Sequence, residues 1–263
     1  MADPIVIRED QGAVARLTLN APGSLNALSD AMIAALQEAL DGIAGDQSIR
    51  AVVLAARGKA FCAGHDLKEM QAARQAPDGG AAGFADLFDR CTRLMLTIQR
   101  LPQPVIAEVH GVAVAAGCQL VATCDMALAG RAATFGVNGV NIGLFCSTPM
   151  VALTRAVPPK KAMEMLVTGR LIDAEEAEAA GLITRAVDDA DLADETTALA
   201  TTVASKLGAA VAIGKLAFYD QAALDTEAAY RHTGDVMVQN LMQADTDEGM
   251  RAFIEKRAPN WTF

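Results

Sequence analysis

The sequence predicts an α/β core followed by a helical tail. Three observations carry this. Short apolar runs, Val14-Ala-Arg-Leu-Thr-Leu19, Ala51-Val-Val-Leu-Ala55 and Pro104-Val-Ile-Ala-Glu-Val109, alternate with segments of helical periodicity. The last two of these runs lead, through turns rich in small residues, into helices. From Asp191 onward every segment has a helical pattern, over about 191–207, 209–223, 225–242 and 245–256.

The elements follow in order. Ile5-Val-Ile-Arg8 and Val14–Leu19 alternate around Gln11-Gly12 and read as a hairpin. Asn20-Ala-Pro-Gly-Ser24 is a loop, and Ser29 is placed to cap a helix with Met32, Leu36, Leu40 and Ile43 on one stripe. Ala51–Ala55 is a buried strand, so strand, helix and strand make a right-handed crossover. Residues 72–83, rich in Ala, Gln and Gly, read as mobile. Phe84, Leu87, Phe88, Cys91, Leu94, Met95 and Ile98 mark a long amphipathic helix ended by Pro102 and Pro104. Cys124–Ala129 is a strand, Ala133–Phe135 a short extended piece, and 137–146 an irregular Gly/Asn loop. Pro149 suits the first turn of a helix, Gly169 the stop of another, and Gly181–Val187 leads into a strand.

Composition narrows the function. The 263 residues are 52% apolar but only 4% aromatic, with a formal net charge of −10. That balance opposes broad binding to nucleic acid or an anionic membrane, and no apolar run is long enough to span a bilayer. The five cysteines lack CxxC spacing and read as reduced thiols. Met1-Ala-Asp-Pro4 has no signal character, and together these features give the expectation of a cytoplasmic protein without metal or dinucleotide. No metalloprotease, P-loop, Rossmann or serine-hydrolase pattern is present.

The chemistry is concentrated in two stretches. Gly58-Lys-Ala-Phe-Cys-Ala-Gly-His-Asp-Leu-Lys-Glu69 and Val109-His-Gly-Val-Ala-Val-Ala-Ala-Gly-Cys-Gln-Leu120 each follow an apolar strand and turn into a helix. Small side chains let a ligand approach the backbone, and a helix start offers unpaired N–H groups. A thioester carbonyl placed there has its developing negative charge stabilised.

Ala60-Phe-Cys-Ala-Gly-His-Asp-Leu-Lys68, Pro104–Gly111, Ala115-Ala-Gly-Cys-Gln-Leu120, Cys124-Asp125, Phe135-Gly136, Ala180-Gly-Leu182 and Glu248-Gly-Met-Arg-Ala-Phe-Ile-Glu-Lys-Arg257 follow one another in an order that resembles the enoyl-CoA hydratase/isomerase (crotonase) superfamily over nearly the whole chain. The resemblance implies a spiral of ββα units over 1–200 and a C-terminal helical trimerisation region over 201–263. It implies trimers or dimers of trimers, and acyl-CoA thioesters as substrates, as in fatty acid metabolism. Coenzyme A then enters as part of the substrate, and no separate cofactor is implied. By position, the backbone amides of His65 and Ala116 are the enolate-binding donors. Ala116 stands where glycine is usual, which requires a negative φ. Leu25, Ala27, Ala60, Ala63, Gly64 and Lys68 are placed to hold the coenzyme A moiety, and Phe253 and Lys256 to reach its nucleotide from a neighbouring subunit. The acyl chain points toward Phe84, Leu87, Phe88 and the Gly139 loop.

The departures matter as much. The two hydratase glutamates fall at Gln119 and Gly139, and the alternative acidic positions at Asn141 and Ser147, so each is neutral here. Gln119 and Asn141 remain candidates for holding water or a substrate group, and His65 for acid/base work, while Asn138 and Asn141 equally suit turn formation. Ser147 suits an N-cap, Asp66 a helix cap, His110 the core, and Cys146 a small buried side chain. The expected activity is that of a crotonase-type lyase or isomerase with its glutamates replaced. The alternatives are a decarboxylase of malonyl-type thioesters and a non-catalytic acyl-CoA-binding oligomer.

Overall fold

The structure is a computed structural model that describes residues 3–261. Strands β1 (Val6–Gln11) and β2 (Val14–Leu19) form the expected antiparallel hairpin, with Val6 opposite Leu19. Ala15, Leu17 and Leu19 of β2 are fully buried, and their alternation fixes which face meets the core. Helix α1 (Asp30–Ala44) packs there through Met32, Leu36, Leu40 and Ile43. The Ser29 side chain caps it by accepting from the Met32 amide.

Strand β3 (Ala51–Ala56) then lies parallel to β2, and β4 (Val105–Val109), β6 (Met126–Gly130) and β9 (Arg185–Val187) extend the sheet in the order β1-β2-β3-β4-β6-β9. A second ladder accompanies the first. Strands β5 (Val112–Val114), β7 (Thr134–Gly136) and β8 (Ile172–Asp173) pair in the order β5-β7-β8. Isolated bridges from Cys62 to Ala113 and from Leu28 to His65 continue that ladder toward the chain's start. Each winding of the chain therefore gives one strand to the large sheet and one short extended piece to the small ladder before turning into a helix. This is the ββα spiral of the crotonase fold.

Helices α2 (Leu67–Ala73) and α3 (Ala81–Arg100) occupy the stretch expected to contain a mobile region. Residues 74–80 form a tight turn in which Asp78 accepts from the amides of Gly80 and Ala82. Helix α3 buries Leu87, Cys91, Leu94, Met95 and Ile98 along one stripe, as its periodicity predicts. Helix α4 (Ala116–Thr123) is almost wholly buried. Residues Asn138–Ile142 form a 3-10 turn, followed by α5 (Pro149–Ala156), α6 (Pro159–Thr168) and α7 (Ala174–Ala179). Ser147 does not cap α5: its hydroxyl bonds the Phe145 carbonyl, and Thr148 is the cap residue.

The far face of the large sheet is covered by α8 (Leu192–Ala204), where Leu192, Ala200 and Ala204 meet Val53, Ala55, Ile106 and Leu128. Helices α9 (Gly208–Gln221), α10 (Thr226–Leu241) and α11 (Ala244–Ile254) complete the tail. Helix α9 is pinned to the core by one polar cluster. Lys215 Nζ donates to Asp125 Oδ2 at 2.6 Å and to the carbonyls of Ile98 and Gln103, while Tyr219 donates to Asp125 Oδ1. Burial lowers the Lys215 pKa against the opposing pull of Asp125. The tail leaves large side chains uncovered: Tyr230, Met242, Phe253 and Ile254 are each at least 78% accessible. No single helix among the described residues is long and apolar enough to cross a membrane.

Candidate active site

The site begins where the small ladder crosses the ends of β3 and β4. Cys62 is tied to β5 by two hydrogen bonds, Cys62 N to Val112 O at 3.1 Å and Val114 N to Cys62 O at 3.0 Å. These hold the turn at Gly64–His65 against the turn at Ala115–Ala116. The fit admits no side chain at two points. A Cβ on Gly64 would lie 2.9 Å from the Ala115 Cβ and 3.3 Å from the Ala116 nitrogen, and one on Gly117 would lie 2.1 Å from the Cys62 carbonyl oxygen. Gly64 also takes φ +90°, open to glycine but costly for other residues.

Both proposed donors are thereby brought together. Among the described residues, no hydrogen bond outside the regular elements starts from the amide of His65 or of Ala116. Ala116 opens α4, where a first-turn N–H has no acceptor within the helix. The steric question raised at Ala116 belongs one residue earlier. Ala115, not Ala116, has positive φ, at 50°.

Around these amides the polar groups are few. The His65 ring packs edge-on against Phe88, with centroids 5.8 Å apart. Its Nδ1 faces the Leu28 carbonyl at 3.4 Å, and its buried Nε2 has no partner. A carbonyl only accepts, so the contact favours a proton on Nδ1 and leaves Nε2 as a bare acceptor. Burial holds the His65 pKa below its ordinary value, with the Leu28 contact opposing, so the ring is neutral at physiological pH. Gln119 is buried on the first turns of α4, and its Oε1 also lacks a partner.

The remaining expected residues divide. Gly139 is buried without room for a side chain: a Cβ there would lie 2.6 Å from the Leu144 carbonyl oxygen and 2.8 Å from Cys146 Sγ. Asn141 is exposed, and its amide reaches the Gly169 carbonyl at the end of α6. Its observed bond therefore serves the backbone turn. Asp66 caps α2 by accepting from the Lys68 and Glu69 amides. His110 is not in the core; it is half-buried, and its Nε2 meets the Gly58 carbonyl at 2.9 Å. Phe84 is half-buried and Leu87 buried along a cleft of about 130 Å³ between α2 and α3, rimmed by Asp30, Asp66, Glu69, Asp86 and Arg90.

Of the residues expected to hold coenzyme A, Ala27 and Ala60 are buried, Ala63 is half-buried, and Lys68 is an exposed lysine without an ion-pair partner among the described residues. The Leu25 carbonyl accepts from the Ala63 amide, and the Leu28 amide donates to the Gly64 carbonyl. Leu25 and Asn26 both have left-handed backbone. Sequence reasoning gave Asn26 no role, yet it holds this loop. Its Oδ1 accepts from the Ala21 amide, and its Nδ2 donates to the carbonyls of Arg57 and Ala60, each at 2.8 Å. The signal was an asparagine in a loop, the residue that best tolerates left-handed backbone after glycine. Phe253 and Lys256 lie at the end of α11, far from burial, with Lys256 also left-handed. The single chain does not bring them to His65 through any described contact.

All five cysteines are free and buried. Burial pushes the thiols of Cys62 and Cys118 up to about 12 and that of Cys91 to about 11, and raises those of Cys124 and Cys146. Burial thus works against a thiolate at Cys146. Among the described residues no group of three His, Cys, Asp or Glu side chains is placed to hold a metal ion.

Comparison with known proteins agrees with this architecture. The family model described as enoyl-CoA hydratase/isomerase matches residues 9–263. The mitochondrial enoyl-CoA hydratase domain-containing protein 3 of Xenopus laevis is 44% identical over 98% of this chain and 86% of its own. A crystal structure of an enoyl-CoA hydratase from Mycobacterium smegmatis is 53% identical, with a TM-score of 0.95 over 99% of this chain and 100% of that one. The crystal structure of human enoyl-CoA hydratase domain-containing protein 3 has 42% identity and a TM-score of 0.93, over 98% and 100%. These names correct the expectation of a cytoplasmic protein, because the frog, zebrafish and human relatives are all named mitochondrial. That expectation leaned on reduced cysteines, and thiols buried this deeply do not report the compartment around them.

Proposed function

Because the chain belongs to the enoyl-CoA hydratase/isomerase family, we propose that it processes acyl-CoA thioesters and holds the enolate-like oxygen between the amides of His65 and Ala116. The observation that supports this most is the locked pair of turns, packed so closely that a Cβ on Gly64 would lie 3.3 Å from the Ala116 nitrogen. Two preorganised donors of this kind act where charge develops, and losing one costs about 100- to 1,000-fold in rate.

The nominal reaction is hydration of a 2-enoyl thioester. Water adds at C3, the electron pair of the double bond moves toward the thioester oxygen, and C2 takes a proton. With Gln119 and Gly139 in place of glutamates, the acceptor for the water proton is the neutral His65 Nε2, assisted by the Gln119 amide. Both are buried and unpartnered, which suits groups that wait for a substrate or a water. The coenzyme A moiety lies along Leu25, Ala27, Ala60, Ala63, Gly64 and Lys68, and Phe253 and Lys256 reach its nucleotide end from a second copy in a trimer or a dimer of trimers. The C-terminal helical region over 201–263 is the part given over to that assembly, and 1–200 is the core.

The decarboxylase reading needs a carboxylate on the acyl group. The cleft between α2 and α3 is rimmed by four carboxylates, two of them paired with Arg90, and this net negative rim disfavours such a charge. Incubating the protein at high concentration with crotonyl-CoA and following products by mass tests the proposal. Hydration that is lost in His65→Gln or Gln119→Leu supports it. Bound but unconverted crotonyl-CoA overturns the hydratase reading for this acyl group.

A further inference from the structure

We propose that Ala115 is a positioning residue for both enolate-binding amides, acting through its own backbone and its methyl group without touching the thioester. The inference rests on the reading of His65 and Ala116 given above. Ala115 has φ 50° and ψ −119°, a conformation that residues with a side chain rarely adopt. Such a conformation persists only where its surroundings over-determine it. Here it is pinned from both ends. The Ala115 amide donates to the Gly136 carbonyl at 2.8 Å, and the Ala115 carbonyl accepts from the Gln119 amide at 3.0 Å. The peptide between Ala115 and Ala116 is trans and planar, so its N–H points opposite to its carbonyl. With the carbonyl committed to the first turn of α4, the Ala116 N–H faces out of the helix start.

The methyl has a separate consequence. It fills the space beside Gly64, since a Cβ there would come within 2.9 Å of it. Gly64 carries the peptide whose N–H belongs to His65. One residue thus orients one donor through its backbone and props the other through its side chain. Glycine at 115 would accept the same φ and ψ, remove the prop, and free the peptide to sample other orientations.

The test needs no knowledge of the natural substrate. Acetoacetyl-CoA enolises by losing a C2 proton to water; the C–H bonding pair forms the new carbon–carbon double bond, and the negative charge settles on oxygen. Its near-ultraviolet enolate band in the complex reads the two donors directly. Butyryl-CoA, which does not enolise appreciably, reads ground-state binding. Ala115→Gly is expected to lower the enolate-to-keto ratio of bound acetoacetyl-CoA about tenfold, well short of the loss of a whole donor. Its Kd for butyryl-CoA stays within about twofold and its Tm does not fall, because glycine relieves the left-handed backbone. Ala122→Gly, at the far end of α4, keeps the wild-type ratio. An unchanged ratio in Ala115→Gly overturns the proposal alone. So does a parallel loss of enolate and butyryl-CoA binding, or an equal loss in Ala122→Gly, each of which marks a merely structural role. Absence of the enolate band in the wild type, with acetoacetyl-CoA bound, overturns the two-amide reading and this proposal with it.

Discussion

Restoring a glutamate at position 139 is expected to damage the protein rather than create a hydratase. A Cβ on Gly139 meets the Leu144 carbonyl oxygen at 2.6 Å and Cys146 Sγ at 2.8 Å, both well inside van der Waals contact. Gly139 is not in the left-handed region, so the obstacle is space and not backbone preference. The wall cannot retreat freely, because the Leu144 amide donates back to the Gly139 carbonyl at 3.0 Å and closes the loop on itself. Overpacking of this kind costs about 1–3 kcal/mol. For a chain of this size each kcal/mol moves Tm by about 2–4 °C, so a drop of about 2–12 °C is expected. Gly139→Ala isolates the first carbon and should account for most of the loss. Thermal unfolding of both variants, with crotonyl-CoA hydration followed by mass, is the assay. A wild-type Tm in Gly139→Ala, or a gain of hydration in Gly139→Glu, would refute the packing argument.

Three further outcomes follow from the site and its supports. His65 has a folded pKa below its ordinary value near 6.5, so below that pH the unfolded chain binds a proton that the folded chain refuses. Its contribution is fully present above about pH 6.5 and is lost as pH falls toward the folded pKa, and urea titrations at pH 5 and 7.5 should show a smaller pH dependence in His65→Gln. Asn26→Ala removes three hydrogen bonds of a buried side chain and leaves alanine at φ 52°, which should cost about 3 kcal/mol and weaken coenzyme A thioester binding in calorimetry. Lys215→Met removes the cation from the half-buried Asp125 carboxylate, which keeps the Val105 amide and the Tyr219 hydroxyl, and chemical denaturation should report a loss of about 3 kcal/mol, part of which Asp125→Asn in the same chain restores.

Much of this was legible in the chain. The stripe Met32, Leu36, Leu40, Ile43 gave α1, and Ser29 and Asp66 gave their helix starts, because amphipathic period and capping chemistry are local. The two donor turns were visible as small residues after apolar strands. Their mutual lock was not, because it depends on the bridge from Cys62 to Ala113 across distant parts of the chain. Gly139 read as a lost carboxylate, and only the folded loop shows Leu144 and Cys146 filling the place of its side chain. Asn141 misled for a similar reason: an amide bonded to a distant carbonyl looks, in sequence, like one left free for a ligand. His110 was expected in the core, and only the fold shows its ring at the rim, held by the Gly58 carbonyl. Asn26 and Ala115 were missed because backbone angle, not side-chain identity, defines what they do.

The burial of all five thiols has a practical consequence for watching the molecule move. With pKa values raised by burial, none offers a useful thiolate fraction at neutral pH, so an alkylating reagent reacts only when the protein opens. The five positions sample different depths: Cys62 and Cys118 beneath the donor turns, Cys91 on α3 facing the core, Cys124 beside the Lys215–Asp125 pair, and Cys146 in the loop before α5. Each is a clock built into the unaltered chain. Mass-resolved labelling at rising urea would give the sequence in which these regions breathe, and whether the spiral loosens from the Cys146 loop inward or from the α9 contact at Cys124.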